Sequence, residues 1–379
     1  MLARVTVIVS GHFLQAGRVG GAEHMVYNLV RGLWANGVDV TLLCARSSRI
    51  DAAFRNELAA RGTPLVAAGS YGKRFIAEQA SCFDRRLCAD GILFPNYFTP
   101  PLLPARFGRV VTVIHDFQYR SFPELTPPLR RIWLHLAHRL TFARADKVIV
   151  PSEFVLRAVR RLHGRKAAAK TAVIPNPISW DRFEGGAVDA PPLGGQPYVL
   201  SVAAHYPHKN LAVLIRAFAA LHPRFPETKL VLVGQLPAAL MGVRDRADRL
   251  GGLIRETGLD GSIVTTGYID DRALGALYRH ASVFVLPSLF EGFGMPAVEA
   301  LGFGVPTITT RCGALPEVTM GQAILVDRPA DPREWADRLA AVLRAPARHR
   351  VAAASMTKIR RHYAPERVGA IYAQQLVST

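Results

Sequence analysis

Two glutamates, Glu291 and Glu299, lie in the segment 283–310, VFVLPSLFEGFGMPAVEALGFGVPTITT. Val283 to Leu286 form an apolar run that reads as a buried strand, ended by Pro287-Ser288. Gly292-Phe293-Gly294 cannot sit comfortably inside a helix, whereas Pro296 is best placed at the first helical position. That pattern predicts Glu291 on a loop and Glu299 in the first turn of a helix ending near Gly302. The backbone N–H groups of Gly292 to Met295, with the positive helix end behind them, would form an anion cradle directly after a strand. Two glycines let a phosphate approach the backbone closely. A carboxylate beside that cradle repels phosphate, so Glu291 and Glu299 are expected to face hydroxyls. Phosphate on backbone donors and hydroxyls on carboxylates suit a sugar nucleotide.

Positioning these groups requires a scaffold of strands and helices, and the chain alternates between the two. Strands are expected at Ala3–Ser10, Val38–Cys44, Ile92–Phe94, Val110–Ile114, Lys147–Val150 and Ala172–Ile174. Helices are expected at Ala22–Asn36, stopped by Gly37, at Leu129–Arg144, and at Glu153–His163, capped by Ser152. The rhythm breaks at 184–197, where EGGAVDAPPLGGQP has a linker composition. Strands resume at Tyr198–Val202, Leu230–Val233, Ser262–Thr265, Val283–Leu286 and Thr307–Thr309. The reading is α/β: two doubly wound parallel-sheet domains, 1–185 and 186–360, with 361–379 a final helix packing back on the first. Ligands in such sheets bind beyond the carboxyl ends of the strands.

The 379 residues are 50% hydrophobic and 20% charged, enough to bury two cores. Lysine and arginine number 47 against 29 aspartates and glutamates, a net charge of +18 that points to an anionic partner. Within 101–170 there are fourteen basic residues and four acidic ones. Arg130, Arg131, Arg139 and Arg144 accompany Trp133, Leu136, Ala137 and Leu140 at helical spacing, and Arg157, Arg160, Arg161 and Arg165 mark a second basic face. These faces fit solvated surface arginines or docking to an anionic membrane surface. No pattern of a nucleic-acid-binding module accompanies them, so nucleic acid is not expected as a partner. No apolar stretch approaches the length of a membrane span. The start of the chain has no signal-peptide pattern, and Cys44, Cys82, Cys88 and Cys312 form no C-x-x-C pair. A cytoplasmic protein is expected, peripheral on the inner face of the cell membrane if the basic half docks there. His135 and His138 are three apart with no third ligand in view, so no metal site is expected. Gly17-x-x-Gly20-Gly21 does not match the dinucleotide-binding G-x-G-x-x-G.

The E-x7-E pair within E-G-F-G-M-P-A-V-E-A resembles the signature of glycosyltransferase family 4, retaining enzymes of the two-domain GT-B fold. The likeness continues through Gly304-Val305-Pro306, Gly313-Ala314-Leu315-Pro316-Glu317 and Thr266-Gly267-Tyr268. In the amino half it includes Gly20-Gly21-Ala22-Glu23, Ile114-His115-Asp116, Pro151-Ser152-Glu153-Phe154 and Ile174-Pro175-Asn176-Pro177. The resemblance implies two Rossmann-like domains facing across a cleft, the first for the acceptor and the second for the donor. Glu299 would bind the donor ribose. Glu291, with Phe290, Gly292, Phe293, Gly294 and Met295 around it, would meet the transferred sugar and distal phosphate. Tyr268 would hold the base, Lys209 would neutralise the pyrophosphate, and His115 would reach the donor sugar. Gly20 and Gly21 would let the first loop approach the phosphate or acceptor.

One departure from the family concerns charge. Many members carry an arginine near the lysine, where this chain has Ala203, Ala204, His205 and His208. Either a histidine such as His208 contacts the phosphate, or Lys209 and backbone donors meet it alone. No D-x-D pair is present, so the resemblance implies a metal-independent hexosyltransferase with a nucleotide sugar as substrate and no cofactor. The combination of Ile114-His115-Asp116 with Pro207-His208-Lys209-Asn210-Leu211 is similar to bacterial mannosyl- and rhamnosyltransferases of polysaccharide assembly. That favours GDP-mannose, with a UDP-hexose (glucosyl, GlcNAc or galactosyl) second. The implied acceptor is a glycan or polyprenyl-diphosphate-linked glycan, selected by loops 66–80 and 117–128. A non-catalytic GT-B nucleotide- or glycan-binding protein is the alternative of another class.

Overall fold

Short apolar runs in the amino half become seven parallel strands: β1 (Thr6–Ser10), β2 (Asp39–Cys44), β3 (Leu65–Ala67), β4 (Gly91–Phe94), β5 (Arg109–Val113), β6 (Lys147–Val150) and β7 (Thr171–Val173). The computed structural model describes residues 5–16, 21–46, 48–67, 74–184, 192–234 and 244–377. Two compact units divide the chain, Met1–Ser179 with His362–Thr379, and Trp180–Arg361. The chain enters the second unit at Trp180, ahead of the glycine- and proline-rich stretch, where Trp180 and Phe183 are buried.

In the amino unit the strand order is β3-β2-β1-β4-β5-β6-β7. Alternation along β1 sends Val7 and Val9 to one face and Ile8 to the other, each into a separate apolar cluster. The first cluster is covered by the helices Gly21–Ala35 and Pro365–Leu376. These helices meet at Gly32 and Gly369. A Cβ on Gly369 would fall 2.7 Å from the Gly32 Cα, so side chains there would force the backbones apart. The helix Glu153–Ala169 continues past its expected end across a break at Gly164, and Ser152 caps it by accepting from the Val155 N–H at 3.3 Å.

The carboxyl unit repeats the design with β8 (Tyr198–Val202), β9 (Lys229–Val233), β10 (Ile263–Gly267), β11 (Val283–Leu286), β12 (Thr307–Thr310) and β13 (Ile324–Val326), ordered β10-β9-β8-β11-β12-β13. Val199, Leu230, Leu232, Val283, Val285 and Ile308 pack under the helices Leu211–Leu221 and Pro332–Arg344. Strand order reverses between β8 and β11, as it does between β1 and β4. The carboxyl ends of the strands at such a reversal are where α/β sheets bind ligands. Loops 203–210 and 287–294, which carry Lys209 and Glu291, leave β8 and β11.

Candidate active site

The loop after β8 tightens into a single turn of 3₁₀ helix, Pro207–Lys209, closed by Asn210 in the left-handed region at φ 56°. Asn210 is fixed there by donating from Nδ2 to the Pro329 carbonyl at 2.9 Å. The loop after β11 is tied to the same turn through the Leu289 N–H, which donates to the His208 carbonyl at 2.7 Å. The two switch-point loops are thus bonded together. Their joining brings the Lys209 ammonium to 2.7 Å from Glu291 Oε1, which also accepts from Ser288 Oγ at 2.7 Å. Ser288 is positioned in turn through its carbonyl, which accepts from Thr310 Oγ1 at 2.6 Å. Among the described residues nothing donates to Glu291 Oε2.

A third segment, after β12, supports Glu291 from behind. The Ala314 N–H donates to the Glu291 carbonyl at 2.9 Å, and Gly313 sits against that backbone with φ 66°. The helix carrying Glu299 runs Met295–Gly302, so Pro296 takes its second position and Glu299 falls in the second turn, one step further in than the sequence predicts. Gly294 stands before the helix at φ 96°. Phe290, Phe293 and Met295 are buried, while Gly292 is partly exposed. Tyr268, just past β10, keeps 56% of its surface exposed and offers an aromatic face at that strand end.

Burial sets the surroundings of two of the expected donor-site residues. His208 points inward, with its ring 5.5 Å from that of Tyr206, and burial, helped by the Lys209 charge, pushes it down to about 3. It is therefore neutral near pH 7, and any positive charge on this turn is that of Lys209. Glu299 is also turned inward. Its Oε1 accepts from Arg182 Nη2 at 2.6 Å and its Oε2 from the Tyr278 hydroxyl at 2.9 Å. Arg182 also reaches Asp271 at 3.2 Å and lies 4.2 Å from the Phe183 ring. Burial, together with the Glu299 charge, holds the Tyr278 phenol protonated well above the usual range. Each Glu299 oxygen already has a partner, so a ribose hydroxyl would need its remaining lone pairs.

In the amino unit His115 follows β5. The Pro95 carbonyl, which can only accept, lies 2.7 Å from His115 Nε2 and assigns the proton to that nitrogen. Burial pushes the imidazole below its ordinary value, against the opposing pull of the Pro95 bond and the Asp116 charge. Asp116 is held by the Tyr97 hydroxyl at 3.0 Å and the Gln118 N–H at 2.8 Å. Gly20 and positions 68–73 of the expected acceptor loop lie outside the described residues, and Gly21 opens the first helix. At the end of β1, Ser10 donates to the Glu78 carboxylate and lies 3.2 Å from His12 Nδ1. His12 Nε2 lies 3.2 Å from Ser81 Oγ, completing a buried polar set that the sequence does not signal.

Two family models match the chain nearly end to end: "Glycosyltransferase Family 4" over residues 19–182 and "Glycosyl transferases group 1" over residues 189–358. The chain belongs to glycosyltransferase family 4. It is 31% identical over 244 residues to O-antigen chain mannosyltransferase B of Escherichia coli, covering 62% of this chain and 61% of that one. Over 93 residues it is 43% identical to the MMP α-(1→4)-mannosyltransferase of Mycolicibacterium hassiacum, covering 24% and 22% of the two chains. Each match spans less than two thirds of the relative's length. The solved structure of HepE from Anabaena, in complex with UDP and glucose, superposes with a TM-score of 0.76 at 18% identity, over 98% of this chain and 99% of that one. The shared fold is GT-B.

In this family 4 glycosyltransferase, Lys209 and Glu291 come together in the carboxyl unit, while His115 belongs to the amino unit. Sequence reasoning misses Ser288, Thr310, Arg182 and Tyr278, which hold the two glutamates. Gly313, Ala314 and Asn210 are supporting residues with a visible signal, since they lie in segments that resemble the family. The carboxyl-unit site can present one fixed cation and one carboxylate oxygen beside backbone N–H groups at a helix start.

Proposed function

We propose that the chain transfers mannose from GDP-mannose, with retention of anomeric configuration, to a glycan or lipid-linked glycan acceptor of a bacterial surface polysaccharide. The acceptor is met at an anionic membrane face. The observation that carries the reading is the Lys209–Glu291 pair, 2.7 Å apart across two loops at the sheet's switch point. Bond breaking between the anomeric carbon and the nucleotide phosphate places charge on the departing oxygen. A lysine already held by Glu291 meets that charge without being ordered during the reaction, which is how fixed charges favour the transition state over the ground state. Glu291 Oε2 accepts from a hydroxyl of the transferred sugar, and Tyr268 supplies a face for the base. With Lys209 and the positive start of the Met295–Gly302 helix balancing the phosphate, the reaction needs no metal. The acceptor hydroxyl attacks from the face the phosphate leaves, and the departing oxygen takes its proton. The names of the O-antigen and MMP relatives support mannose as the sugar.

Thermal unfolding with GDP, UDP, ADP and dTDP, with EDTA and again with magnesium, tests the donor site. A ligand at about 100 times its dissociation constant adds roughly 2.7 kcal/mol. A rise selective for GDP and indifferent to magnesium is expected. A UDP-selective rise would move the donor to a UDP-hexose, and no rise with any nucleotide in a folded sample would remove the donor site.

A further inference from the structure

The helix Pro128–Arg144 leaves large apolar side chains in water. Leu129 is 82% exposed, Ile132 59%, Trp133 39% and Leu136 58%. Its inward side is instead made of Ala137, His138 and Thr141. At about 100° per residue, Leu129, Ile132, Trp133 and Leu136 fall within one arc of about 100°. Arg139 stands about 20° beyond Ile132, and Arg144 about 20° beyond Trp133, with Arg130 further round that side. An apolar stripe therefore runs along the helix with guanidinium groups on both flanks. The helix contains no aspartate or glutamate.

Neighbouring elements widen the stripe. The Trp133 ring lies 4.5 Å from that of Phe75, on the helix Arg74–Ser81, whose Ile76 is exposed. Gln79 of the same helix grips the backbone of Leu102, also exposed, through bonds of 2.7 and 3.0 Å. A soluble surface rarely gathers large apolar side chains from three segments unless something covers them.

We infer that this face is an interfacial docking element for an anionic lipid bilayer: Leu129, Ile132, Trp133 and Leu136 enter the acyl boundary while Arg130, Arg139 and Arg144 bind lipid phosphates. Charge decides the occupant. Arginines on both rims can extend their guanidinium groups to a headgroup layer while their stems cover apolar surface. Tryptophan suits the depth where acyl chains meet headgroups. The helix brings no carboxylate that such a surface would repel. The inference deepens the reading above and rests on it for the lipid-linked acceptor. Its test transfers no sugar, so docking can fail while transfer stands.

The test is sedimentation of the full chain with vesicles of phosphatidylcholine alone and of phosphatidylcholine with one third phosphatidylglycerol (about 0.33 by mole), the anionic leaflet that attracts basic segments. Binding to the anionic vesicles is expected, and Ile132→Asp/Leu136→Asp should lower the partition coefficient about tenfold or more. Arg130→Gln/Arg139→Gln should lose the preference for anionic vesicles. Brominated lipid should quench the wild-type tryptophan fluorescence and spare Trp133→Phe. Arg130, Ile132, Leu136 and Arg139 are exposed, so circular dichroism and thermal midpoints of those variants should not move. Wild type that fails to sediment, or an Ile132→Asp/Leu136→Asp chain that sediments like wild type, overturns the inference. A chain that self-associates in solution and is made monomeric by Ile132→Asp would assign the face to a second copy instead.

Discussion

Replacing Lys209 by methionine separates what the lysine does for the fold from what it does for the donor. Its ammonium and the Glu291 carboxylate are 2.7 Å apart, with side chains 18% and 10% exposed. Stranding one partner of a fully buried pair costs about 3–5 kcal/mol, and exposed pairs are worth about 0–1 kcal/mol. This pair keeps some solvent and Ser288 still donates to Glu291, so Lys209→Met should cost about 1–2 kcal/mol. For a unit of this size that lowers the midpoint by about 2–8 °C. Adding Glu291→Gln removes the stranded charge, so the double variant should unfold later than Lys209→Met alone. Against nucleoside diphosphate the loss is larger in proportion, because a charge-assisted contact to phosphate disappears: about 2–3 kcal/mol, or roughly 30- to 150-fold in affinity. Binding of the nucleoside without phosphates should be unchanged. Calorimetric titration of wild type, Lys209→Met and the double variant with GDP and guanosine reads all of these. A Lys209→Met chain that binds GDP as tightly as wild type would remove Lys209 from the phosphate site.

Three further outcomes are expected. Gly313→Ala places a Cβ 2.7 Å from the Glu291 nitrogen, and closer to its oxygen, on a backbone at φ 66°, whereas Gly321→Ala has a similar φ of 73° with open space around it. Gly321→Ala should lose about 1–2 kcal/mol in thermal unfolding and Gly313→Ala more, because its Cβ also meets backbone, and only Gly313→Ala should lose turnover, by about tenfold or more from misplacing Glu291. Arg182→Met removes the Arg182–Glu299 bond between side chains 7% and 4% exposed, at a cost of about 3–5 kcal/mol. Unfolding midpoints should show partial recovery in Arg182→Met/Glu299→Gln, and the donor KM should rise more than kcat falls. The last outcome concerns pH. Burial and neighbouring histidines push His138 down to about 3 and His163 to about 4. Below about 6.5 the unfolded chain binds protons that these rings refuse, so stability is present above that pH and lost as pH falls toward 4. For His138 the slope is about 1.4 kcal/mol per pH unit, and less for the half-buried His163. His138→Gln should flatten a denaturation profile between pH 6.5 and 4, and a flat wild-type profile would contradict the assignment.

Central strands are readable because their apolar runs are long enough to mark burial on both faces. Lys147–Val150, Tyr198–Val202 and Val283–Leu286 keep their expected ends. The short strands Leu65–Ala67 and Ile324–Val326 are missed, since each lies at a sheet edge and is only partly covered. Glycine and proline spacing places Glu291 on a loop, but not its pairing with a lysine 82 residues earlier. Arg182 lies 117 residues from Glu299, and nothing local distinguishes it from a surface arginine. Helical periodicity in 128–144 marks an apolar stripe without saying which side is buried. The inward side is lined by His138, whose ring packs against Phe117 and Tyr119, and His163 supplies the third imidazole that the sequence does not show near His135 and His138.

Retaining mannosyl transfer at the Lys209–Glu291 site is read by proton NMR of a reaction containing GDP-α-mannose, a mannose-terminated glycan on a lipid tail, and EDTA. Wild type should release GDP, Lys209→Met should release it far more slowly, and the new linkage in the product should be α. A β-linked product, or release by wild type no faster than by Lys209→Met, would contradict retaining transfer at this site.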